Sequence, residues 1–207
     1  MDTTTRRDQI VDAAMRRFAE VGFRAARVED VAKEVGVAKG TVFLHFRNKE
    51  GLFLAAYERA VDLLPRWLDA PDDVRQEGFW AVLRYWLDRA EDLAQGEFRV
   101  ANRVAMMGRH DSSLDLRRPI QRFMRSEDPY GTLEFVEWGI GRGELRSDVD
   151  VEMTTSMLEW AGDSFQDVLS DADFDPGLVR KRPHDPDRKA ARIGEFIEIL
   201  RGGIGSS

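Results

Sequence analysis

The stretch Val28-Glu-Asp-Val-Ala-Lys-Glu-Val-Gly-Val-Ala-Lys-Gly-Thr-Val-Phe-Leu-His-Phe46 decides the reading of this 207-residue chain. Val28, Val31, Ala32 and Val35 recur at three- and four-residue steps, the period of one helix face. Gly36 follows at once, and a glycine there can take the positive φ that ends a helix. A second short helix then spans residues 39–46. Two short helices joined through Gly36-Val37-Ala38 make a helix-turn-helix pattern, with Val37 placed to plug the angle between them. The residues of the second helix suit a duplex. Lys39 brings positive charge to its start, and Gly40 has no side chain to hold the backbone away. Thr41 offers a hydroxyl to a base edge or phosphate and a methyl to thymine, and Phe43 can touch thymine methyls. His45 and Lys49 can bond phosphates, whereas Val42 and Phe46 are expected in the core. Asn48 is a good N-cap for the next helix, whose first N–H groups then point at an anion.

Outward from this segment the apolar spacing stays helical and two-residue alternation is rare, so the expected fold class is all-α. A first helix over residues 5–21 opens with Thr5 and Asp8 as a capping box. It carries the stripe Ile10, Ala14, Phe18 and Val21, and stops at Gly22. A fourth helix after Asn48 has Leu52, Ala56, Leu63, Leu64 and Trp67 on its buried side and fades near Asp69. The run Asp69-Ala-Pro-Asp-Asp73 marks the expected boundary between a DNA-binding domain, 1–69, and a larger helical domain, 70–207. Within the latter, helices are expected near 74–93, 98–107 and 116–124. Another should follow a cap at Asp128 with Pro129 at its first position and end near Gly141. Two more are expected at 149–169 and 188–200, with an exposed loop over 171–187 between them.

The hydrophobic fraction is 43% and the charged fraction 33%, ordinary for a soluble globular protein. No run of 18 apolar residues exists, and MDTTTRRDQI has no apolar leader core, so no membrane span or secretory signal is expected and the expected location is the cytoplasm. Cysteine is absent, which leaves no disulfide framework and no cysteine zinc site. Net charge is −7, yet residues 1–69 hold 12 Lys and Arg against 11 Asp and Glu, and the remainder holds 19 against 27. The acidity of the second part would repel phosphate and help point the first part at DNA. His110, Asp111, Ser112 and Ser113 are sequence neighbours and do not face one another as a triad must. His45 and His184 stand alone, and Gly139-Ile-Gly-Arg-Gly143 follows no strand. No catalysis, cofactor or metal is expected.

The run from Val28 to Phe53, with the preceding helix end Phe18-Ala-Glu-Val-Gly-Phe23, resembles the DNA-binding domain of the TetR family of transcriptional regulators over residues 5–65. The resemblance implies a three-helix DNA-binding domain followed by a helical ligand-binding and dimerising domain. Carried onto this chain it implies DNA contacts from Arg27, Ala38, Lys39, Gly40, Thr41, Phe43, Leu44, His45 and Lys49. Ala38 stands where the family often has Ser, Phe43 where Tyr is usual, and Ala26-Arg27 where Thr often begins the second helix. Two recognition helices of a dimer would reach successive major grooves about 34–36 Å apart. A ligand that moves the fourth helix would change that distance, and so release a near-palindromic operator.

A dimer seam is expected on the last two helices. Their stripes are Thr154, Met157, Leu158, Ala161, Phe165, Val168 and Leu169, and Ala190, Ile193, Ile197 and Leu200. Gly162 and Gly194 would permit close helix approach, at a cost of about 1 kcal/mol each against Ala. Trp80, Trp86, Phe98, Met106, Met107, Phe123, Trp138, Trp160 and Phe165 are candidates for the lining of a pocket that would take a small hydrophobic or aromatic effector. The competing expectation is a helical small-molecule binder or enzyme with an inert DNA domain. Its sign would be tight ligand binding without salt-dependent DNA affinity.

Overall fold

Thr5 opens the first helix as expected. Its hydroxyl accepts from the Asp8 N–H at 3.2 Å and its own N–H donates to the Asp8 carboxylate at 3.0 Å, satisfying two donors that the helix itself cannot. The computed structural model describes residues 5–89, 96–110, 114–170, 174–175, 180–181 and 186–206. Its helices are α1 (Arg6–Ala25), α2 (Val28–Val35), α3 (Lys39–Phe46), α4 (Lys49–Asp62), α5 (Asp72–Glu77), α6 (Phe79–Asp88), α7 (Arg99–His110), α8 (Leu114–Glu127), α9 (Thr132–Gly141), α10 (Val151–Ser170) and α11 (Pro186–Ile204), with a 3-10 turn at Trp67–Asp69. Extended pairing among the described residues amounts to two two-residue strands, β1 (Phe174–Asp175) and β2 (Arg180–Lys181), and a bridge between Leu145 and Gly205. The all-α expectation holds.

Packing divides the chain into two units that are not the consecutive segments 1–69 and 70–207. The first unit is Met1–Leu64 with Gln95–Pro129, and the second is Pro65–Ala94 with Tyr130–Ser207. The reason is that α7 lies against α1 and α4, and α8 against α4 and α7. Ile10, Ala14, Phe18, Leu52, Phe53, Tyr57, Val104, Ala105 and Leu116 are buried there. Phe53 meets Phe18 edge-on at 5.0 Å, and Tyr57 meets Phe123 edge-on at 6.2 Å. A β-carbon on Gly108 would overlap the Tyr57 ring, so a glycine is what lets α7 come this close to α4. In the second unit Phe79, Val82, Leu83, Leu87, Phe135, Val136 and Leu145 pack with Leu158, Ile193 and Ile197. Phe135 lies parallel to Trp67 at 5.0 Å and to Phe79 at 4.1 Å.

Four expected boundaries shift. Gly22 is non-helical at φ 81°, as its role of stop requires, but the chain resumes a helical turn to Ala25. The fourth helix ends at Asp62 rather than near Asp69. Leu63 and Leu64 close onto Ala60 and Val61 with three-residue bonds, and Pro65 then bars the helical conformation for the residue before it. Trp67 therefore leaves that helix for the second unit. The helix expected over 74–93 breaks at Gly78, where φ is 109°. A β-carbon there would overlap the Glu144 carboxylate, which instead accepts the Phe79 N–H at 2.9 Å and caps α6. Asp128 and Pro129 form a turn, with Asp128 at φ 42°, and α9 begins only after Gly131 at φ 64°. That turn is tied down from afar: Trp67 donates its N–H to the Tyr130 carbonyl at 3.1 Å and its indole N–H to Thr132 Oγ1 at 3.1 Å. The loop expected over 171–187 lies mostly outside the described residues, as do Asp111, Ser112, Ser113 and His184.

Glu144 supplies α6 with a cap that no residue local to Gly78 can provide. Glu144→Ala is expected to lower stability by about 1–2 kcal/mol in chemical denaturation, and Glu144→Gln, which keeps an acceptor, by less.

Candidate nucleic-acid interface

The turn between α2 and α3 is set by Gly36, left-handed at φ 73° and ψ 38°. Gly36 and Val37 return their N–H groups to Lys33 and Ala32 at 3.2 and 2.9 Å, closing α2. Ala38 sits extended at the N-cap of α3 and, as an alanine, makes no side-chain cap bond. Val42 and Phe46 are buried, as expected, and the Arg7 guanidinium lies 5.2 Å over the Phe46 ring. Arg47 then takes φ 65° and donates to the Phe43 carbonyl at 2.8 Å. Asn48 caps α4, its side-chain oxygen accepting the Gly51 N–H at 2.8 Å. The sequence reading missed Gly51. A β-carbon there would overlap the Phe46 carbonyl oxygen, so a glycine is required for the start of α4 to pack on the end of α3.

With this edge of α3 buried, the rest faces outward. Lys39, Gly40, Leu44, His45 and Arg47 are exposed, Thr41 and Phe43 are half-buried, and Arg27 and Ala38 are exposed just before α2 and α3. The nine residues expected at DNA thus fall on α3, on the residues that precede α2 and α3, and on the first residue of α4. Two of the cations are already engaged. Lys39 pairs with Glu29 and lies 5.3 Å over the Phe43 ring. Lys49, half-buried, donates to the Arg24 carbonyl at 3.1 Å and lies 4.7 Å over the Phe23 ring. The hydrogen bond from Lys39, then the backbone N–H of Glu29 and the charge of Arg27, hold the Glu29 carboxyl below its usual range. Glu29 was not foreseen, because nothing in helical periodicity marks a pair between α2 and α3. Along α1 and α2, Arg16 pairs with Glu34 at 2.7 Å and Arg17 with Asp30 at 2.8 Å. These pairs line an open cleft of about 620 Å³ whose walls are charged, unlike a site for an apolar ligand.

The pocket candidates separate. Phe98, Met106, Met107 and Phe123 belong to the first unit, and Trp80, Trp86, Trp138, Trp160 and Phe165 to the second. Several serve as packing. The Trp86 indole donates to the Trp67 carbonyl at 2.9 Å, Trp138 stacks on Phe135 at 6.0 Å, and Phe165 stacks on Phe196 at 4.4 Å. Trp160 is 73% exposed, so within one chain it walls no cavity. The seam candidates also divide. Leu158, Ile193, Ile197 and Leu200 are buried in the core of their own unit, because an apolar stripe looks the same whichever partner covers it. Met157, Ala161, Gly162, Phe165 and Gly194 are half-buried. Among the described residues of α10 and α11, the large apolar side chains facing outward are instead Met153, Trp160 and Ile199, at 68, 73 and 74% exposure, and Ala190 is exposed as well. Val168 and Leu169 have side chains outside the described set.

A short helix anchored by two core residues and open to solvent along its other side, in an all-helical chain, has the architecture of the helix-turn-helix class. Residues 10–56 match the family described as bacterial regulatory proteins, tetR family. The HTH-type transcriptional repressor AcnR of Corynebacterium diphtheriae is 30% identical over 180 residues, covering 86% of this chain and 88% of that protein. The fatty acid metabolism regulator protein of Bacillus subtilis is 26% identical over 155 residues, covering 72% of this chain and 76% of that protein. Among solved structures, the regulator FadR from Bacillus subtilis in complex with stearoyl-CoA has a TM-score of 0.62 at 22% identity, covering 95% of this chain and 98% of that one. The chain belongs to the tetR family of bacterial regulatory proteins. These relatives are named as regulators, in keeping with the expectation that the protein is not an enzyme. Among the described residues no helix is long and apolar enough to cross a membrane.

Gly51→Ala forces a methyl onto the Phe46 carbonyl and is expected to cost about 1–3 kcal/mol in chemical denaturation. Glu29→Gln frees Lys39 for phosphate. It is expected to tighten DNA binding by about two- to fivefold at low salt, with the gain shrinking as salt rises, in fluorescence anisotropy.

Proposed function

We propose that the protein is a transcriptional repressor that binds a near-palindromic operator as a homodimer, with α3 of each protomer in a major groove, and is released by a small hydrophobic or aromatic effector. The observation that carries this reading is the split of α3 into a buried edge, Val42 and Phe46, and an outward one bearing Lys39, Gly40, Thr41, Leu44 and His45. Arg27, Ala38, Phe43 and Lys49 complete the contact set. Phosphate contacts from Arg27, His45 and Lys49 supply affinity and register, and the α3 side chains supply base discrimination. In this division of labour residues 1–69 act on DNA and residues 70–207 on effector and partner, although part of the latter packs with the first unit, and the protein works in the cytoplasm.

The homodimer reading is supported by three large apolar residues of α10 and α11 that, among the described residues, stand in water. Met153 and Trp160 are seven residues apart, so they lie on one side of α10. A second copy that covers Met153, Trp160 and Ile199 removes apolar surface that a single chain leaves wet. Met157, Ala161, Gly162, Phe165 and Gly194 form the edge of the proposed seam, and Gly162 has open space where a β-carbon would be. An effector that prefers the protomer spacing unsuited to DNA lowers operator affinity by its differential affinity for the two states. The aromatic wealth of the second unit supports an apolar effector, and the stearoyl-CoA held by FadR makes acyl-CoA thioesters and flat aromatic compounds the first compounds to screen.

Selection from a random duplex pool at fixed salt is expected to return a near-palindrome. Thr41→Ala and Lys49→Ala should each weaken binding to it by about fivefold or more while leaving fold and dimer intact; parental binding by both variants refutes the assigned surface. Trp160→Arg is expected to shift the particle from dimer to monomer in light scattering and to weaken operator binding by about tenfold or more, through loss of the second half-site contact.

A further inference from the structure

We infer that Leu44 reads a thymine, through its C5-methyl group, at one fixed position in each half-site of the operator. The inference rests on the reading of α3 as the groove-facing helix. Leu44 is 86% exposed, the most exposed large apolar side chain among the described residues. Its neighbours in the helix have other employment: Val42 and Phe46 are core, and Phe43 lies under Lys39. Leu44 stands one turn beyond Gly40 and three residues beyond Thr41, so the three share a helix face. Gly40 meets nothing within 4 Å and brings no side chain of its own. That face is therefore bare backbone at one end and a branched apolar knob at the other.

Leucine can neither donate nor accept, so it reads no hydrogen-bond pattern and holds no phosphate. Arg47 and His45 beside it are polar and exposed, which leaves a single leucine rather than the contiguous apolar patch that marks a protein docking surface. The one apolar group that B-form DNA displays in its major groove is the thymine methyl. The bare Gly40 lets the helix axis sit close enough for a leucine one turn later to reach it. Cytosine carries only a C5–H where thymine has its methyl, and adenine presents N7 and an amino group, so neither offers the leucine an apolar partner.

The test uses the full-length protein and the duplex recovered by selection, with deoxyuridine replacing thymidine one position at a time, which deletes a methyl and alters no hydrogen bond. The parent is expected to lose about fourfold in affinity at one thymine per half-site, the worth of one buried methyl-sized group, and about fifteenfold when both half-sites are changed. Leu44→Ala is expected to bind thymine and uracil alike at that position. Because Leu44 is exposed, Leu44→Ala should melt as the parent does. A parent indifferent to uracil at every position overturns the assignment, as does a Leu44→Ala variant that keeps the full loss. Failure to recover any preferred duplex would overturn the groove-facing reading of α3 itself, and Leu44 with it.

Discussion

An eight-residue helix does not hold together in water by its own hydrogen bonds, and α3 is eight residues long. Its existence depends on burying Val42 and Phe46 against the helices around it. The left-handed Gly36 sets the angle at which α3 leaves α2, and Gly51 allows the first turn of α4 to close over the Phe46 carbonyl. With those three constraints met, the remaining side chains of α3 have one way to face, and that is outward. The outward surface of this helix is in that sense a by-product of core packing: the residues proposed to touch DNA are those the core has no room for.

The electrostatics are moderate. The chain carries a net −7, and two of the lysines at the interface are held by the protein itself, Lys39 by Glu29 and Lys49 by the Arg24 carbonyl and the Phe23 ring. Such restraint lowers the sequence-independent part of DNA affinity, which grows with each freely placed cation. It would give more weight to shape and to base-edge contact, the role proposed for Thr41 and Leu44.

Local signals made the first unit's helices legible. The Thr5–Asp8 box, the Gly36 stop, the Asn48 cap and the apolar steps of α1 to α4 are all short-range chemistry. What escaped depends on partners far along the chain. Gly78 breaks a helix at φ 109° and Glu144, far along the chain, caps the next one, while Gly131 takes φ 64° in a turn held by Trp67. The return of α7 and α8 to the first unit is a matter of topology that periodicity does not encode. Pro65 is the exception, a local signal that cuts α4 short and could have been read. The stripes on α10 and α11 do not by themselves mark a seam: periodicity cannot say whether an apolar residue meets its own chain or a second one, and Leu158 and Ile193 are buried in the core of their own unit.

We propose that α3 lies in the major groove as one of a symmetric pair. Dimethyl sulfate protection of the bound operator tests it directly, because guanine N7 lies in the major groove and adenine N3 in the minor groove. Two blocks of protected guanine N7, centred about one helical turn apart and related by the operator's two-fold axis, are the expected result. A single block, or protection confined to adenine N3, would contradict it.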